Sequence, residues 1–201
     1  MSYICIIANE KGAVAAGDSR LTLYPAQLNL HLDRTRKVFQ DEKQGLVWAC
    51  CGLTYFGGIH YFKAVERILR SESMTMGAKL NKITTLMERA TKIHHLISFS
   101  ESSFTLLLSS VKTGETMILK VVNGVAEKET ITGPVAIEDG SGAAGALPAV
   151  AEVAEATMEE LVKMARGRAM TAAKNAAEGF KNEGKPQTVG GNTRVVYLEA
   201  E

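Results

Sequence analysis

The residue behind the initiator methionine is Ser2, and it leads directly into an apolar run, Tyr3 to Ala8. If Met1 is removed, one residue carries both a hydroxyl and a free α-amine. An α-amine of ordinary pKa, roughly 7.7–8.0, acts as a base at neutral pH. A hydroxyl beside such a base is an activated nucleophile and would attack a carbonyl carbon. Other residue types offer less. The three cysteines, Cys5, Cys50 and Cys51, do not read as a disulfide framework. No histidine lies near Cys50 or Cys51 in sequence to depress a thiol pKa, so neither reads as a nucleophile. His31, His60, His94 and His95 lack metal-ligand spacing, so neither a metal nor an organic cofactor is expected.

Periodicity gives the elements that must position Ser2. The first third reads as strands over Tyr3–Ala8, Ala13–Ser19, Arg36–Gln40 and Gly45–Cys51, with a turn at Asn9-Glu10-Lys11-Gly12. Gly52 ends the fourth strand, and Gly57-Gly58 interrupt the chain before the first helix. Phe62, Val65, Ile68 and Leu69 make one helical stripe within Ile59 to Arg70, and Leu80, Ile83, Leu86, Ala90, Ile93 and Ile97 predict a second helix over Met76 to Ile97. Strands return at Phe104–Ser110 and Thr116–Val122, with a turn at Asn123-Gly124. Gly133-Pro134 and Gly140-Ser141-Gly142 punctuate the later part. An alanine-rich helical region, Ala143 to Phe180, is expected to break near Pro148 and Gly167, and a strand over Arg194–Leu198 closes the chain. Strands, two helices, strands, helices and a strand, in that order, predict two packed sheets with helices outside rather than regular βαβ alternation.

The bulk figures limit the function classes. The 201 residues suit one domain over 1–201, with 46% hydrophobic and 22% charged residues. A net charge of +1 gives no field aimed at nucleic acid or a membrane surface. No apolar run reaches the eighteen residues of a membrane span, and no basic stretch precedes an apolar one at the N-terminus. Cysteines that do not read as disulfides make the reducing cytoplasm the expected location.

In sequence order these features resemble proteasome β-type subunits and their bacterial peptidase relatives among the N-terminal-nucleophile hydrolases. Ser2 matches the nucleophile, Gly17-Asp18-Ser19-Arg20-Leu21-Thr22 the segment carrying an aspartate sixteen residues later, Arg36-Lys37-Val38-Phe39 the lysine-led strand, Trp48-Ala49-Cys50-Cys51-Gly52-Leu53 the strand-to-helix turn, and Gly140-Ser141-Gly142-Ala143 the opening of the third helix. The resemblance implies an α+β fold, a four-layer αββα sandwich of two antiparallel sheets flanked by helices. It implies a protease or peptidase that hydrolyses amide bonds of peptides or unfolded proteins. It further implies a homo-oligomeric ring, compatible with an ATP-dependent unfoldase. A ring-forming protein without catalysis is the alternative.

The implied roles have a physical basis. Ser2 Oγ attacks while its α-amine takes the proton. Lys37 favours the alkoxide and Asp18 holds Lys37, although the two could equally be a plain ion pair. The Gly52 N–H would stabilise the oxyanion or simply serve the turn. Ser141 would orient the amine or cap the helix after it. Leu21, Thr22, Thr35, Cys50 and Thr54 would line the substrate pocket, a mixture suited to apolar side chains. The chain departs from the pattern in two residues: Pro186 stands where an aspartate precedes Gly190-Gly191, and serine replaces the commoner threonine, losing the methyl that restricts χ1.

Overall fold

The computed structural model describes residues 2–22, 31–32, 34–140, 145–183 and 189–200. In chain order these hold β1 (Tyr3–Asn9), β2 (Gly12–Gly17), β3 (Leu21–Thr22), β4 (His31–Leu32), β5 (Val38–Asp41), β6 (Leu46–Gly52), β7 (Tyr55–Phe56), β8 (Ile59–His60), α1 (Tyr61–Leu69), α2 (Met76–Ser98), β9 (Ser103–Ser110), β10 (Glu115–Val122), β11 (Val125–Thr132), β12 (Val135–Gly140), α3 (Val150–Glu155), α4 (Met158–Glu183) and β13 (Arg194–Glu199). One antiparallel sheet runs β12-β1-β2-β13 and the other β11-β10-β9-β6-β5.

Strand alternation builds the layers. In β1, Tyr3, Cys5 and Ile7 face the helices and pack on Val153, Leu161, Ala165, Ala169 and Ala172. Ile4, Ile6 and Ala8 face the other sheet and meet Val38, Val47, Ala49 and Leu107. On that sheet's far side, Trp48, Cys50, Leu106 and Leu108 pack against Phe62 of α1 and Ile83 and Met87 of α2. A strand covered on both faces reads as a continuous apolar run, which is why β1 is buried from end to end. The result is the expected α+β sandwich, helices–sheet–sheet–helices.

Four local expectations need correction. β11 and β12 occupy stretches where the apolar pattern predicts no strand. β11 is an edge strand, mostly exposed and charged, so it lacks apolar alternation, and β12 carries two acids, Glu138 and Asp139, on opposite faces. The first helix begins at Tyr61, because Gly57 and Gly58, both at positive φ, fold residues 55–60 into a small hairpin. The late helix does not break at Gly167. It breaks at Ala156-Thr157, where a capping box restarts it: the Thr157 N–H donates to Glu160 Oε2 at 2.8 Å and the Glu160 N–H to Thr157 Oγ1 at 3.3 Å. Residues 143–149 lie ahead of α3 and are not part of a helix where they are described. Among the described residues no helix is long and apolar enough to cross a membrane.

Candidate active site

The chain leaves β2 at Gly17 and places Asp18 beside the start of β1, where the Asp18 N–H donates to Tyr3 O at 3.2 Å. The Asp18 carboxylate is almost completely buried and accepts four hydrogen bonds. Oδ1 accepts from the Tyr3 N–H at 2.8 Å and from Lys37 Nζ at 2.8 Å. Oδ2 accepts from the Arg20 N–H at 2.9 Å and the Gly190 N–H at 3.2 Å. Lys37 is 0% exposed, and its ammonium also donates to Arg20 O at 2.5 Å. A buried ion pair persists only when its remaining lone pairs and protons are satisfied, and three backbone N–H groups do this for Asp18. One carboxylate oxygen thus joins the peptide nitrogen that comes after Ser2 to the Lys37 ammonium. Ser2 itself is 7% exposed.

Backbone geometry orients the neighbouring turn. The Cys50 N–H donates to Lys37 O at 2.8 Å, towards β5, and the Leu53 N–H to Ser103 O at 2.7 Å, towards β9. Amides alternate sides along a strand, so the Gly52 N–H points to the β5 side, where that strand has only just begun. Gly52 has φ +91°, and a Cβ there would lie 2.2 Å from Ser103 O, so the close approach of β9 alone requires glycine.

Ser2 is fixed from the other side by β12. Gly140 pairs with Tyr3 at φ +117°, and a Cβ on it would fall 1.7 Å from Ser2 O. Gly140→Ala must therefore push the start of β1 away. The expected cost is about 3 kcal/mol, a fall in melting temperature on the order of 10 °C, measurable by thermal unfolding, together with loss of any reaction at Ser2. Behind Tyr3, Glu138 Oε2 accepts from the Tyr3 hydroxyl at 2.6 Å and from Arg168 at 2.7 and 2.9 Å. Arg168 also donates to Ala146 O and Gly145 O, tying α4 to the segment after β12. Burial drives the Tyr3 phenol pKa far up, so Tyr3 stays neutral.

The remaining expected residues are more dispersed. Thr35 is half-buried and its N–H donates to Ser19 O. Thr54 is buried and its hydroxyl donates to Gly52 O at 3.1 Å. Leu21 and Thr22 form β3, paired with His31–Leu32. Cys50 is 0% exposed among Trp48, Phe62 and Phe104, on the helix side of its sheet. Burial, then the Glu66 charge, raises its thiol pKa. Cys51 points between the sheets and donates to Asp139 Oδ2 at 3.2 Å, and burial and Asp139 raise its pKa although Lys37 pulls the other way. Burial pushes Cys5 up to about 12. All three thiols are protonated at neutral pH, the wrong state for a thiolate nucleophile. Ser141 lies outside the described residues, as do Met1 and Pro186. Among the described residues no cluster of histidine, cysteine, aspartate and glutamate is arranged to hold a metal ion. A cavity of about 500 Å³ opens at the far end of the sandwich, lined by Asn9, Gly12, Val111 and Gly133, and contains none of these groups.

The fold has a solved counterpart. The Anbu mutant from Hyphomicrobium sp. strain MC1 superposes with a TM-score of 0.54 over 99% of this chain and 82% of that one, at 15% identity. At this identity the likeness carries the fold alone. No protein-family model matches the chain, and no curated protein does. The resemblance to proteasome β-type subunits and bacterial proteasome-like peptidases is therefore corrected: what stands is a fold shared with that solved structure at 15% identity. Several residues around Ser2 carry no motif of their own: Glu138, Asp139, Arg168 and the Gly190 N–H. The acid pair in β12 is the one readable sign, since two adjacent carboxylates in a strand need partners on both faces.

Proposed function

We propose that this chain is an amide hydrolase that uses Ser2 as an N-terminal nucleophile once Met1 is removed. The observation that carries this reading is the single Asp18 oxygen shared by the Tyr3 N–H and the Lys37 ammonium, fully buried at the start of β1. A structural ion pair has no need to engage the amide next to a chain terminus. In the scheme, the α-amine takes the Ser2 Oγ proton, Oγ bonds to the substrate carbonyl carbon, and the Lys37 charge lowers the energy of the alkoxide. The direction of the Gly52 N–H supports its assignment as oxyanion donor. The protonated amine then gives its proton to the leaving nitrogen, and water releases the acyl group by the reverse sequence. Peptides are the proposed substrates.

Treating the purified protein with an acylating peptide ester and digesting it tests this reading. An acyl adduct on a terminal peptide that begins with Ser2 is expected. A chain that retains Met1 in every molecule, or an adduct elsewhere, overturns it.

A second reading concerns assembly, and an apolar patch favours it. Tyr55 and Ile59 of the β7–β8 hairpin, with Leu96, Ile97 and Phe99 at the end of α2, are exposed, and Phe99 is 92% exposed in a left-handed conformation. The edge-on contact of Phe56 with His94 joins the hairpin to the helix. A patch of this kind marks an interaction surface. A homo-oligomer is expected by light scattering, and Leu96→Lys with Phe99→Lys is expected to reduce it to smaller species. A wild-type mass equal to one chain excludes this reading.

A further inference from the structure

If Ser2 carries a free α-amine, as proposed above, a second cation enters a site where Asp18 is already fully used. Asp18 commits its four acceptor positions to Lys37 and three backbone N–H groups. An α-ammonium on a residue that is 7% exposed needs a carboxylate of its own.

β12 supplies one. Asp139 pairs directly with Ile4 in the β1–β12 register. Ile4 faces the other sheet. Side chains directly opposite share a face, and so do residues two apart. Asp139 and Ser2 therefore both point between the sheets. Diagonal neighbours in such a pair lie about 7–8 Å apart at Cα, within reach of a carboxylate and a chain terminus. The carboxylate is only lightly engaged. Oδ2 accepts the Cys51 thiol at 3.2 Å, a weak donor. Oδ1 lies 3.7 Å from Lys120 Nζ, a half-exposed surface pairing. Its neighbour Glu138 is unsuitable, because it faces the helices and is held by Tyr3 and Arg168.

We propose that Asp139 is the positioning residue for the Ser2 α-amine, accepting a hydrogen bond from it in both protonation states and so aiming the lone pair of the neutral form at Oγ. The charged and titratable groups around that nitrogen are then Asp18 and Lys37 at the ends of β2 and β5, Arg20 behind Asp18, Cys51 on β6, Lys120 on β10 and Asp139 on β12. A carboxylate beside an amine favours the ammonium and raises its pKa. The base works as the neutral amine, so catalysis switches on as pH rises through that pKa.

The test measures the α-amine pKa directly, by competitive labelling of the terminal nitrogen across pH, on protein whose intact mass shows that Met1 is absent. Asp139→Asn keeps an acceptor for the Cys51 thiol and is expected to lower the amine pKa by about one pH unit, moving the acid limb of kcat/KM down by the same amount. Asp139→Glu is expected to restore part of the shift. Lys120→Met, at the surface, removes a nearby cation and frees Asp139, so it is expected to raise the amine pKa. An amine pKa unchanged in both Asp139→Asn and Lys120→Met, on Met1-free chains, overturns the role of Asp139 and leaves the Ser2 scheme standing. Met1 retained throughout, seen in the mass before any labelling, ends the Ser2 scheme instead and the role of Asp139 with it.

Discussion

Ser2→Ala is expected to remove amide hydrolysis by roughly 10⁴–10⁶-fold, the scale seen when a nucleophile is deleted from an acyl-transfer enzyme. The fold should not notice. The contacts that hold the start of β1 are made by the backbone: the Tyr3 N–H to Asp18, Tyr3 O to the Asp18 N–H, and the approach of Gly140 to Ser2 O. Alanine keeps all of them and the Cβ. Thermal unfolding of the variant should match the parent within about 0.5 kcal/mol, the range of substitutions that touch no core, cap or network. Steady-state hydrolysis of a peptide amide, measured beside the unfolding curve, separates the two effects. Turnover surviving in Ser2→Ala removes that hydroxyl from the chemistry.

The second large effect divides Asp18 from Lys37, although they form one ion pair. Lys37→Met keeps most of the side-chain volume and removes the charge. Asp18 then retains three backbone N–H donors, so it remains a satisfied buried carboxylate. The protein should fold, and the loss should fall on the rate, roughly 10²–10³-fold, as expected for a missing electrostatic stabiliser. Asp18→Ala has the opposite profile. It takes the carboxylate away from the Lys37 ammonium, which is 0% exposed, and leaves the N–H groups of Tyr3, Arg20 and Gly190 without that acceptor. Breaking a buried pair from one side costs about 3–5 kcal/mol, so this variant should unfold far earlier than Lys37→Met. Equal stability of the two variants in denaturant titrations contradicts the asymmetry read from the hydrogen bonds.

The legible parts of the chain are those governed by local rules. β1, β2, β6, β9 and both early helices are readable from apolar periodicity, because each presents a face or both faces to a core. β11 is not, since an edge strand with Glu127, Lys128 and Glu129 in solvent has no inner face to encode. Gly167 looks like a helix break, yet nothing lies within 4 Å of the position where its Cβ would be, and an exposed glycine only weakens a helix. Asp18 and Lys37 are readable as a pair, and the structure adds the Tyr3 and Gly190 amides that their types could not announce. The acid pair that includes Asp139 is readable but its placement is not, since that depends on the register of β12 with β1, across more than 130 residues, which no window along the sequence contains. Cys50 shows the limit of reading pocket residues from position alone, since its side chain turns towards α1 and α2.

The Gly190 N–H on Asp18 ties chemistry to the order of synthesis. Gly190 stands just ahead of β13, and β13 completes its sheet by pairing with β2 along its whole length. The amide that finishes the Asp18 cradle is therefore made 172 residues after the aspartate it serves. A growing chain whose β13 is still in the exit tunnel lacks that donor, so the buried Asp18–Lys37 pair is left one backbone partner short. Completion of the buried pair is thus coupled to the closing of the β12-β1-β2-β13 sheet.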